Sequence, residues 1–298
     1  MNRIDGTTKV VGILGWPVAH TLSPIMHNAA FTALGLNWVY VPLPIEPERI
    51  KHAVGSLLAL NFAGANVTVP HKQAIMRYLD EIDPVAQAIG AVNTIALQDG
   101  RTRGYNTDGH GFLQSLLEAG FRPEGARCLV LGAGGAARAV VYALADAGAR
   151  AIAVYNRTVE RAAFLVEDLK SAFPRVVFTF EALSPQSLRA ANHHFDLVVN
   201  TTSLGMTPHA ETTPWPAEIP LPESAAVCDL VYNPLRTRFL QQAEAAGLTA
   251  IDGVGMLVHQ GARAFQIWTG QTAPADLMRR AVLDELAARQ GVAGMREM

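Results

Sequence analysis

The 298-residue sequence has few cysteines, almost no excess of charge and no long apolar run near its first residues. Its two cysteines, Cys128 and Cys228, both lie in apolar runs, which is typical of buried reduced residues and not of a disulfide framework. The near balance of 24 Lys+Arg against 26 Asp+Glu argues against a surface for nucleic acid or acidic membranes. Val10–Leu14 is too short for the hydrophobic region of a signal peptide. We therefore expect a cytoplasmic protein that binds small molecules.

The sequence also lacks histidines and cysteines at the spacing of a metal site. His193 and His194 are adjacent, whereas the histidines of a zinc site are separated by several residues. A solvated loop is the better interpretation of this pair, and we expect no metal.

The clearest pattern that is present lies within Arg127–Thr158. Cys128–Leu131 is a short apolar run typical of a buried parallel strand, and the glycine-rich letters GAGG break it before an apolar-periodic helix. A second apolar run, Ala151–Tyr155, completes a βαβ unit of ordinary length. Glycines at such a turn let backbone N–H groups approach a pyrophosphate at the amino end of the helix. The unit therefore predicts a dinucleotide ligand.

Two other interpretations of this unit stay open at this point. The third glycine of the G-x-G-x-x-G pattern is replaced by Ala137, so the turn alone is weak evidence for a ligand. Cys128–Ala145 is apolar except for Arg138 and resembles a membrane span, but its glycines and Arg138 favour a water-soluble turn.

An acidic residue is missing where an NAD enzyme would hold the ribose 2′-hydroxyl. After the second strand the chain has Asn156, Arg157 and Thr158, with Arg161 one turn further on. Because these residues can hold a 2′-phosphate instead, the sequence predicts NADP as the cofactor.

Five polar residues fall at the predicted carboxyl ends of strands in the first third of the chain, where α/β sheets bind ligands. They are Asn66, Thr68, Lys72, Asn93 and Asp108. Each has an ordinary explanation, since lysines are usually solvated and Asn or Asp beside glycine usually forms a turn. Their common position nonetheless predicts a substrate site.

Two hydroxyls stand where a strand, Val10–Leu14, leads into a helix, Ile25–Leu34. Ser23 is interpreted as the cap of this helix, with Pro24 in the first turn. Thr21 is not needed for capping, so the two hydroxyls together are candidates for binding a carboxylate.

Several further elements are predicted from local pattern. Asp80–Ala88 is expected to be a helix, and Met206–Pro222, rich in Pro and Thr, a plain surface loop. Met256–Thr269 is expected to be a long helix carrying Gln260, which is either a structural residue or a substrate contact.

Eight motifs in this order resemble the shikimate dehydrogenase family, almost from end to end. They are HTLSP (20–24), NVTVPHK (66–72), GAVNT (90–94), NTDG (106–109), GAGGAAR (132–138), NRT (156–158), DLVYNP (229–234) and MLVHQGARAF (256–265). The resemblance implies an NADP-dependent oxidoreductase that reduces 3-dehydroshikimate to shikimate in chorismate and aromatic amino-acid biosynthesis.

The resemblance also implies an α/β fold of two domains. An N-terminal α/β substrate domain, residues 1–112, would be completed by C-terminal helices, residues 254–298. A Rossmann-type dinucleotide-binding domain, residues 113–253, would lie between them in sequence, with the active site in the cleft. We expect the protein to bind small molecules and to bind neither membranes nor nucleic acids. Whether it forms a homodimer stays open.

Roles for single residues follow from the same resemblance. Lys72 would be the acid/base residue, with Asp108 as its partner. Substrate would be bound by Thr21, Ser23, Asn66, Thr68, Asn93, Asp108, Tyr232 and Gln260. The cofactor would be bordered by Gly132, Ala133, Gly134, Gly135, Ala136, Asn156, Arg157, Thr158, Arg161, Leu230 and Gly253.

One residue departs from the family pattern. The first hydroxyl of the substrate motif is usually serine, and here it is Thr21, which adds a methyl group. Relatives that use quinate or an amino analogue vary around this position, so such substrates stay open. A nucleotide-binding sensor without catalysis is the alternative from another class, although it would not need Lys72 and Asp108.

Overall fold

The computed structural model describes residues 4–191 and 195–296, with side chains as far as residue 289. His193 and His194 lie outside the described residues. The chain forms two compact units, one of Met1–Gly111 with Leu257–Met298 and one of Phe112–Met256. Each unit is built on a six-stranded sheet. The predicted α/β class is confirmed.

The sheet of the first unit is mixed. Its strands are β1 (Lys9–Gly15), β2 (Trp38–Pro44), β3 (Gly64–Val67), β4 (Glu81–Ile82), β5 (Thr94–Gln98) and β6 (Arg101–Tyr105), arranged as β2-β1-β3-β5-β6-β4. Its helices are α1 (Ser23–Ala33), α2 (Ile50–Ala59) and α3 (Pro84–Ile89), and α4 (Asp108–Glu118) follows β6. Short 3₁₀ turns cover Pro47–Arg49 and Ala74–Tyr78.

The direction of β5 decides which residues meet at the edge of this sheet. Asp99 and Gly100 both have positive φ, 51° and 72°, which fits the tight hairpin that joins β5 to β6. Consequently β5 runs antiparallel to β6, and it also pairs antiparallel with β3 on its other side. Asn93 therefore lies at the amino end of β5, and its expected place at a carboxyl end was wrong. It still reaches the carboxyl edge of β3, because the antiparallel strand begins there.

The sheet of the second unit is wholly parallel. Its strands are β7 (Arg127–Leu131), β8 (Ala151–Asn156), β9 (Val177–Ala182), β10 (Leu197–Asn200), β11 (Ala226–Asp229) and β12 (Ala250–Ile251), arranged as β12-β11-β10-β7-β8-β9. The helices are α5 (Gly135–Asp146), α6 (Val159–Lys170), α7 (Pro185–Ala191) and α8 (Arg238–Ala245). The strand order reverses between β7 and β10, and dinucleotides bind at this point in such sheets.

Two long helices complete the chain, α9 (Gly253–Thr269) and α10 (Ala275–Arg296). In the first unit, Nε1 of Trp268 on α9 donates to the carbonyl of Ile95 over 2.9 Å. A Cβ on Gly64 would lie 2.2 Å from the same Nε1, so glycine is required there. Helix α10 packs against α1.

Alternate residues of β7 fill both faces of the second sheet. Cys128 and Val130 join one apolar cluster, and Leu129 and Leu131 join the other. The second cluster includes Trp215, which is wholly buried. The expectation that Met206–Pro222 is a plain surface loop was therefore wrong, because three apolar residues anchor it to the sheet. They are Trp215, Ile219 and Leu221.

The helix predicted over Asp80–Ala88 was also wrong at its start. Glu81–Ile82 pairs with β6 as β4, and the helix begins only at Pro84. Asp83 caps it, since its Oδ1 accepts the N–H of Val85 over 3.0 Å. Proline is favoured in the first turn of a helix, so the boundary at Pro84 has a local cause.

The remaining expectations from composition concern cysteine and membrane spans. Cys128 and Cys228 are buried and free, as predicted, and burial raises the pKa of the Cys128 thiol to about 12. Within the described ranges, no helix has the length and apolar character needed to cross a membrane. Arg138 is nearly buried on α5 and pairs with Asp168 over 2.7 Å.

Candidate active site

A largely buried ion pair joins Lys72 and Asp108 in the first unit. Nζ of Lys72 lies 2.6 Å from Oδ2 of Asp108, and the two side chains are 14% and 5% exposed. Lys72 belongs to the loop after β3, where its carbonyl accepts the N–H of Val92 over 2.8 Å. Asp108 is the first residue of α4, where the helix macrodipole favours a carboxylate. An ammonium group with little access to water is therefore held beside one carboxylate.

Asn93 fixes the other oxygen of this carboxylate. Its Nδ2 donates to Oδ1 of Asp108 over 2.8 Å and to Oγ1 of Thr107 over 2.9 Å. Its own Oδ1 accepts the N–H of Thr107 over 2.8 Å, which determines the orientation of the amide. Both oxygens of Asp108 thus have a donor, and the geometry of the pair is set from two sides.

Asn66 lies on β3, opposite Thr94 of β5, and is 4% exposed. Its Nδ2 donates to the carbonyl of Asn93 over 3.1 Å and to Oγ1 of Thr94 over 3.0 Å. Its Oδ1 accepts the hydroxyl of Tyr40 over 2.8 Å. Both amide hydrogens are used, so Asn66 has only an acceptor left to offer a ligand.

Tyr40, Thr94 and Thr107 complete this network, and none of them was predicted as a site residue. Thr94 follows Asn93 in the motif GAVNT, and Thr107 precedes Asp108 in the motif NTDG. These positions beside predicted site residues could have indicated that both threonines belong to the site. Tyr40 gives no local signal, because it is an ordinary residue of an apolar strand.

Thr21 and Ser23 are brought together at the start of α1. Their hydroxyl oxygens lie 3.2 Å apart, and Oγ1 of Thr21 accepts the N–H of Ser23 over 3.3 Å. Ser23 is itself the first helical residue, and Leu22 stands at the cap position without a side-chain hydrogen bond. The interpretation of Ser23 as the cap was therefore wrong, and Thr21 is the residue that satisfies a backbone donor.

Thr68 and Gln260 are the other two predicted residues of the first unit. Thr68 is half-buried after β3, with its N–H donated to the carbonyl of Leu14 over 2.8 Å. Nε2 of Gln260 donates within α9 to the carbonyl of Leu257 over 2.8 Å, and its Oε1 lies 3.5 Å from Nδ2 of Asn93. Gln260 therefore borders the network and is also satisfied within its own helix.

The glycine turn of the second unit lies between β7 and α5. Gly132 has a φ of +116°, and a Cβ there would lie 2.5 Å from Oγ1 of Thr201, so both conformation and space require glycine. Around Gly134 no heavy atom of the described chain lies within 4 Å of where a Cβ would stand. Gly135 begins α5, and the first N–H groups of a helix have no partner within the helix, so this end of α5 is suited to an anion. Ala133 lies within the turn, and Ala136 is the second residue of α5.

We call the carboxyl edge of this sheet, which includes the glycine turn, the dinucleotide crevice. A second part of it is the segment that follows β8. Nδ2 of Asn156 donates to the carbonyl of Thr158 over 2.8 Å, and Thr158 caps α6 without a side-chain hydrogen bond. Arg157 and Arg161 are exposed. Two guanidinium groups with access to solvent thus stand beside a helix amino terminus, which is suited to a phosphate.

A third part follows β11. A Cβ on Gly253, the first residue of α9, would lie 2.4 Å from the carbonyl oxygen of Leu230, so the two backbones touch. The N–H of Leu230 donates to the carbonyl of Asn200 over 3.0 Å, and Tyr232 is half-buried two residues later. Leu230 and Gly253 are therefore held together in the second unit.

Three family models match the chain. One described as the shikimate dehydrogenase substrate binding domain matches residues 13–95, and one described as shikimate/quinate 5-dehydrogenase matches residues 115–206. The third, described as the shikimate 5′-dehydrogenase C-terminal domain, matches residues 253–283.

Full-length relatives are similar to the chain as well. It is 50% identical over 291 residues to the NADP⁺ shikimate dehydrogenase of Moorella thermoacetica, covering 98% of both chains. A crystal structure of a shikimate dehydrogenase in complex with NADP⁺ is similar with a TM-score of 0.88 and 43% identity, covering 95% of this chain and 98% of that one. The Thermus thermophilus enzyme in complex with NADP(H) and shikimate is similar with a TM-score of 0.83 and 40% identity, covering 93% and 99%.

Proposed function

The chain belongs to the shikimate dehydrogenase family of NADP-dependent oxidoreductases, and on that premise we propose that it reversibly reduces 3-dehydroshikimate to shikimate. This reaction is a step of chorismate and aromatic amino-acid biosynthesis. The observation that carries the proposal is the largely buried contact of Lys72 with Asp108, 2.6 Å between Nζ and Oδ2. A proton must move at the oxygen on C3, and an ammonium group held in place can supply it.

Lys72 is the proposed general acid. When bound, NADPH supplies the hydride that is added to C3 of the substrate. Nζ of Lys72 donates a proton to the C3 oxygen during reduction and accepts it in the reverse direction. Its positive charge also stabilises negative charge developing on that oxygen. Asp108 orients the ammonium group through Oδ2 and accepts a substrate hydroxyl.

The other polar residues of the first unit are proposed to hold the rest of the substrate, which makes this unit the substrate domain. The hydroxyls of Thr21 and Ser23, 3.2 Å apart, bind the carboxylate. Asn66 accepts a hydrogen bond from a substrate hydroxyl, since that is the capacity it has left. Substrate hydroxyls are further bound by Thr68, Asn93 and Gln260. Tyr232, a residue of the second unit, is the remaining substrate residue that the family resemblance implies.

The second unit is proposed to hold the cofactor. The open space at Gly134 and the amino end of α5 fit a pyrophosphate, because the first N–H groups of a helix have no partner within the helix. Arg157 and Arg161 fit a 2′-phosphate, with Asn156 and Thr158 beside them, because charge-assisted contacts to phosphate are strong. Leu230 and Gly253 border the nicotinamide end. An acidic residue for a ribose 2′-hydroxyl is absent at 156–158, which favours NADP over NAD.

A cytoplasmic location is proposed for the protein as well, and a homodimer is the assembly to be tested. Two buried cysteines that carry no disulfide support a reducing compartment. Fractionation of the source cells tests the location, and light scattering at two protein concentrations tests the assembly.

The test of the reaction is a spectrophotometric assay with purified protein. We expect oxidation of NADPH with 3-dehydroshikimate and reduction of NADP⁺ with shikimate, each slowed by about 10²–10⁴ in Lys72→Ala. Quinate is the second candidate substrate, favoured by the match to a shikimate/quinate family model and by threonine at position 21. Binding of NADP⁺ without turnover of any substrate in the panel would instead support a nucleotide-binding sensor.

A further inference from the structure

Two wholly buried polar side chains stand at the carboxyl ends of β10 and β11. Asn200 and Asp229 are opposite each other in the parallel pairing of these strands. Nδ2 of Asn200 donates to Oδ1 of Asp229 over 2.8 Å. Burial raises the pKa of the Asp229 carboxyl to about 6, against the opposing effect of its hydrogen bonds. Burying a carboxylate is costly unless hydrogen bonds compensate the charge, and this carboxyl accepts them from Asn200, Val231 and Thr237.

Asp229 organises the segment that follows β11. Its Oδ1 also accepts the N–H of Val231 over 3.0 Å, and its Oδ2 accepts the hydroxyl of Thr237 over 2.6 Å. Thr237 in turn caps α8, since its Oγ1 accepts the N–H of Leu240 over 3.3 Å. Through Val231 and Thr237, the Asp229 carboxylate thereby fixes both ends of the segment 230–237, which begins with Leu230.

Asn200 organises the loop that follows β10. Its Oδ1 accepts the N–H of Thr202 over 3.0 Å and the hydroxyl of Thr202 over 2.7 Å. Its Nδ2 reaches the carbonyl of Leu204 over 3.2 Å in addition to Asp229. This loop begins with Thr201, the residue against which Gly132 packs at the point where the strand order reverses.

We propose that Asn200 and Asp229 are positioning residues for the cofactor, which set the loops 201–204 and 229–237 at the dinucleotide crevice as one rigid piece. The inference rests on the proposed function, because it concerns the binding of NADPH. Loops fixed before binding do not have to be ordered by the ligand, so affinity is gained without a direct contact. Charge-assisted hydrogen bonds to the Asp229 carboxylate are strong enough to hold them.

The test compares substitutions that break the network with substitutions that keep it. Thr237→Val removes the hydroxyl that donates to Asp229, whereas Thr237→Ser retains it with a smaller side chain. Asp229→Ala removes three accepted hydrogen bonds, whereas Asp229→Asn retains Oδ1 for Asn200 and Val231. Asn can also donate to Oγ1 of Thr237, which has a second lone pair. If Asp229→Ala does not fold, the Thr237 pair decides.

NADPH dissociation constants are measured by nucleotide fluorescence without substrate, well below each variant's melting temperature. We expect Thr237→Val and Asp229→Ala to weaken NADPH binding about tenfold, the scale of one lost charge-assisted hydrogen bond, and to lower kcat. Thr237→Ser and Asp229→Asn should restore binding to within about threefold, the small change left when the network is kept. Folded Thr237→Val with lower thermal stability and unchanged NADPH affinity would overturn the inference. Wild-type protein that binds no NADPH would overturn the proposed function itself.

Discussion

His27 makes the first unit sensitive to acid. The side chain is wholly buried, and burial lowers its pKa to about 3. The imidazole stacks on Tyr40, with ring centroids 4.5 Å apart and planes 2° from parallel. Neither ring nitrogen has a hydrogen-bond partner among the described residues. A proton on this ring therefore has no compensating acceptor, and the folded state keeps His27 neutral.

The size of the effect follows from the two pKa values. In the unfolded chain His27 titrates near 6.5, so below that pH the unfolded state binds a proton that the folded state excludes. The contribution of neutral His27 to the free energy of unfolding is fully present well above pH 6.5. It falls by about 1.4 kcal/mol per pH unit as the pH drops from 6.5 toward 3. Between pH 7 and pH 5 the loss from His27 alone is about 2 kcal/mol.

His27→Phe isolates this loss, because it keeps an aromatic ring and removes the titration. Urea unfolding at pH 7 and pH 5 is measured for wild type, His27→Phe and the exposed control His52→Gln, with hydrogen exchange following amides of the first unit. The raised pKa of Asp229 acts in the opposite direction below pH 6, but it is common to all three proteins. We expect His27→Phe to lose about 2 kcal/mol less than the other two. Equal losses in all three would refute the reasoning.

Three further predictions concern the site. Lys72→Ala should lower kcat by about 10²–10⁴ while NADPH affinity measured by titration stays constant; near-normal kcat would make the lysine structural. Arg157→Ala should weaken NADPH binding about tenfold to a hundredfold and leave NADH binding unchanged, and equal losses for both would contradict a phosphate contact. Thr21→Ser should change the ratio of kcat/KM for shikimate and quinate by less than about tenfold, the scale of one methyl contact; a switch of preferred substrate would oppose this.

The βαβ unit around Gly132 could be predicted because its signals are local. An apolar β-branched run, a glycine turn and an apolar-periodic helix each determine their own structure, and β7, α5 and β8 follow them closely. Motif residues at strand ends indicated a common edge, and the structure places Lys72 and Asp108 in contact there.

Other features depend on partners far away in sequence. The hydrogen bond from Tyr40 on β2 to Asn66 on β3 joins residues that are 26 positions apart in the sequence. Nothing near Tyr40 in the sequence distinguishes it from an ordinary core residue. Trp215 lies in a segment whose proline and threonine content indicates a loop, yet the sheet provides an apolar surface that buries it. The direction of β5 follows from the hairpin at Asp99, so the place of Asn93 required the pairing as well as the pattern.

The contact of Trp268 with Gly64 and Ile95 has a consequence for synthesis on the ribosome. The first unit contains residues from both ends of the chain, and Trp268 reaches a partner 173 residues earlier. When residues 1–111 emerge, the indole that fills the space beside Gly64 does not yet exist. The second unit, Phe112–Met256, is complete in sequence before the first one is. The core of the first unit therefore cannot be completed until the chain has produced Trp268 on α9.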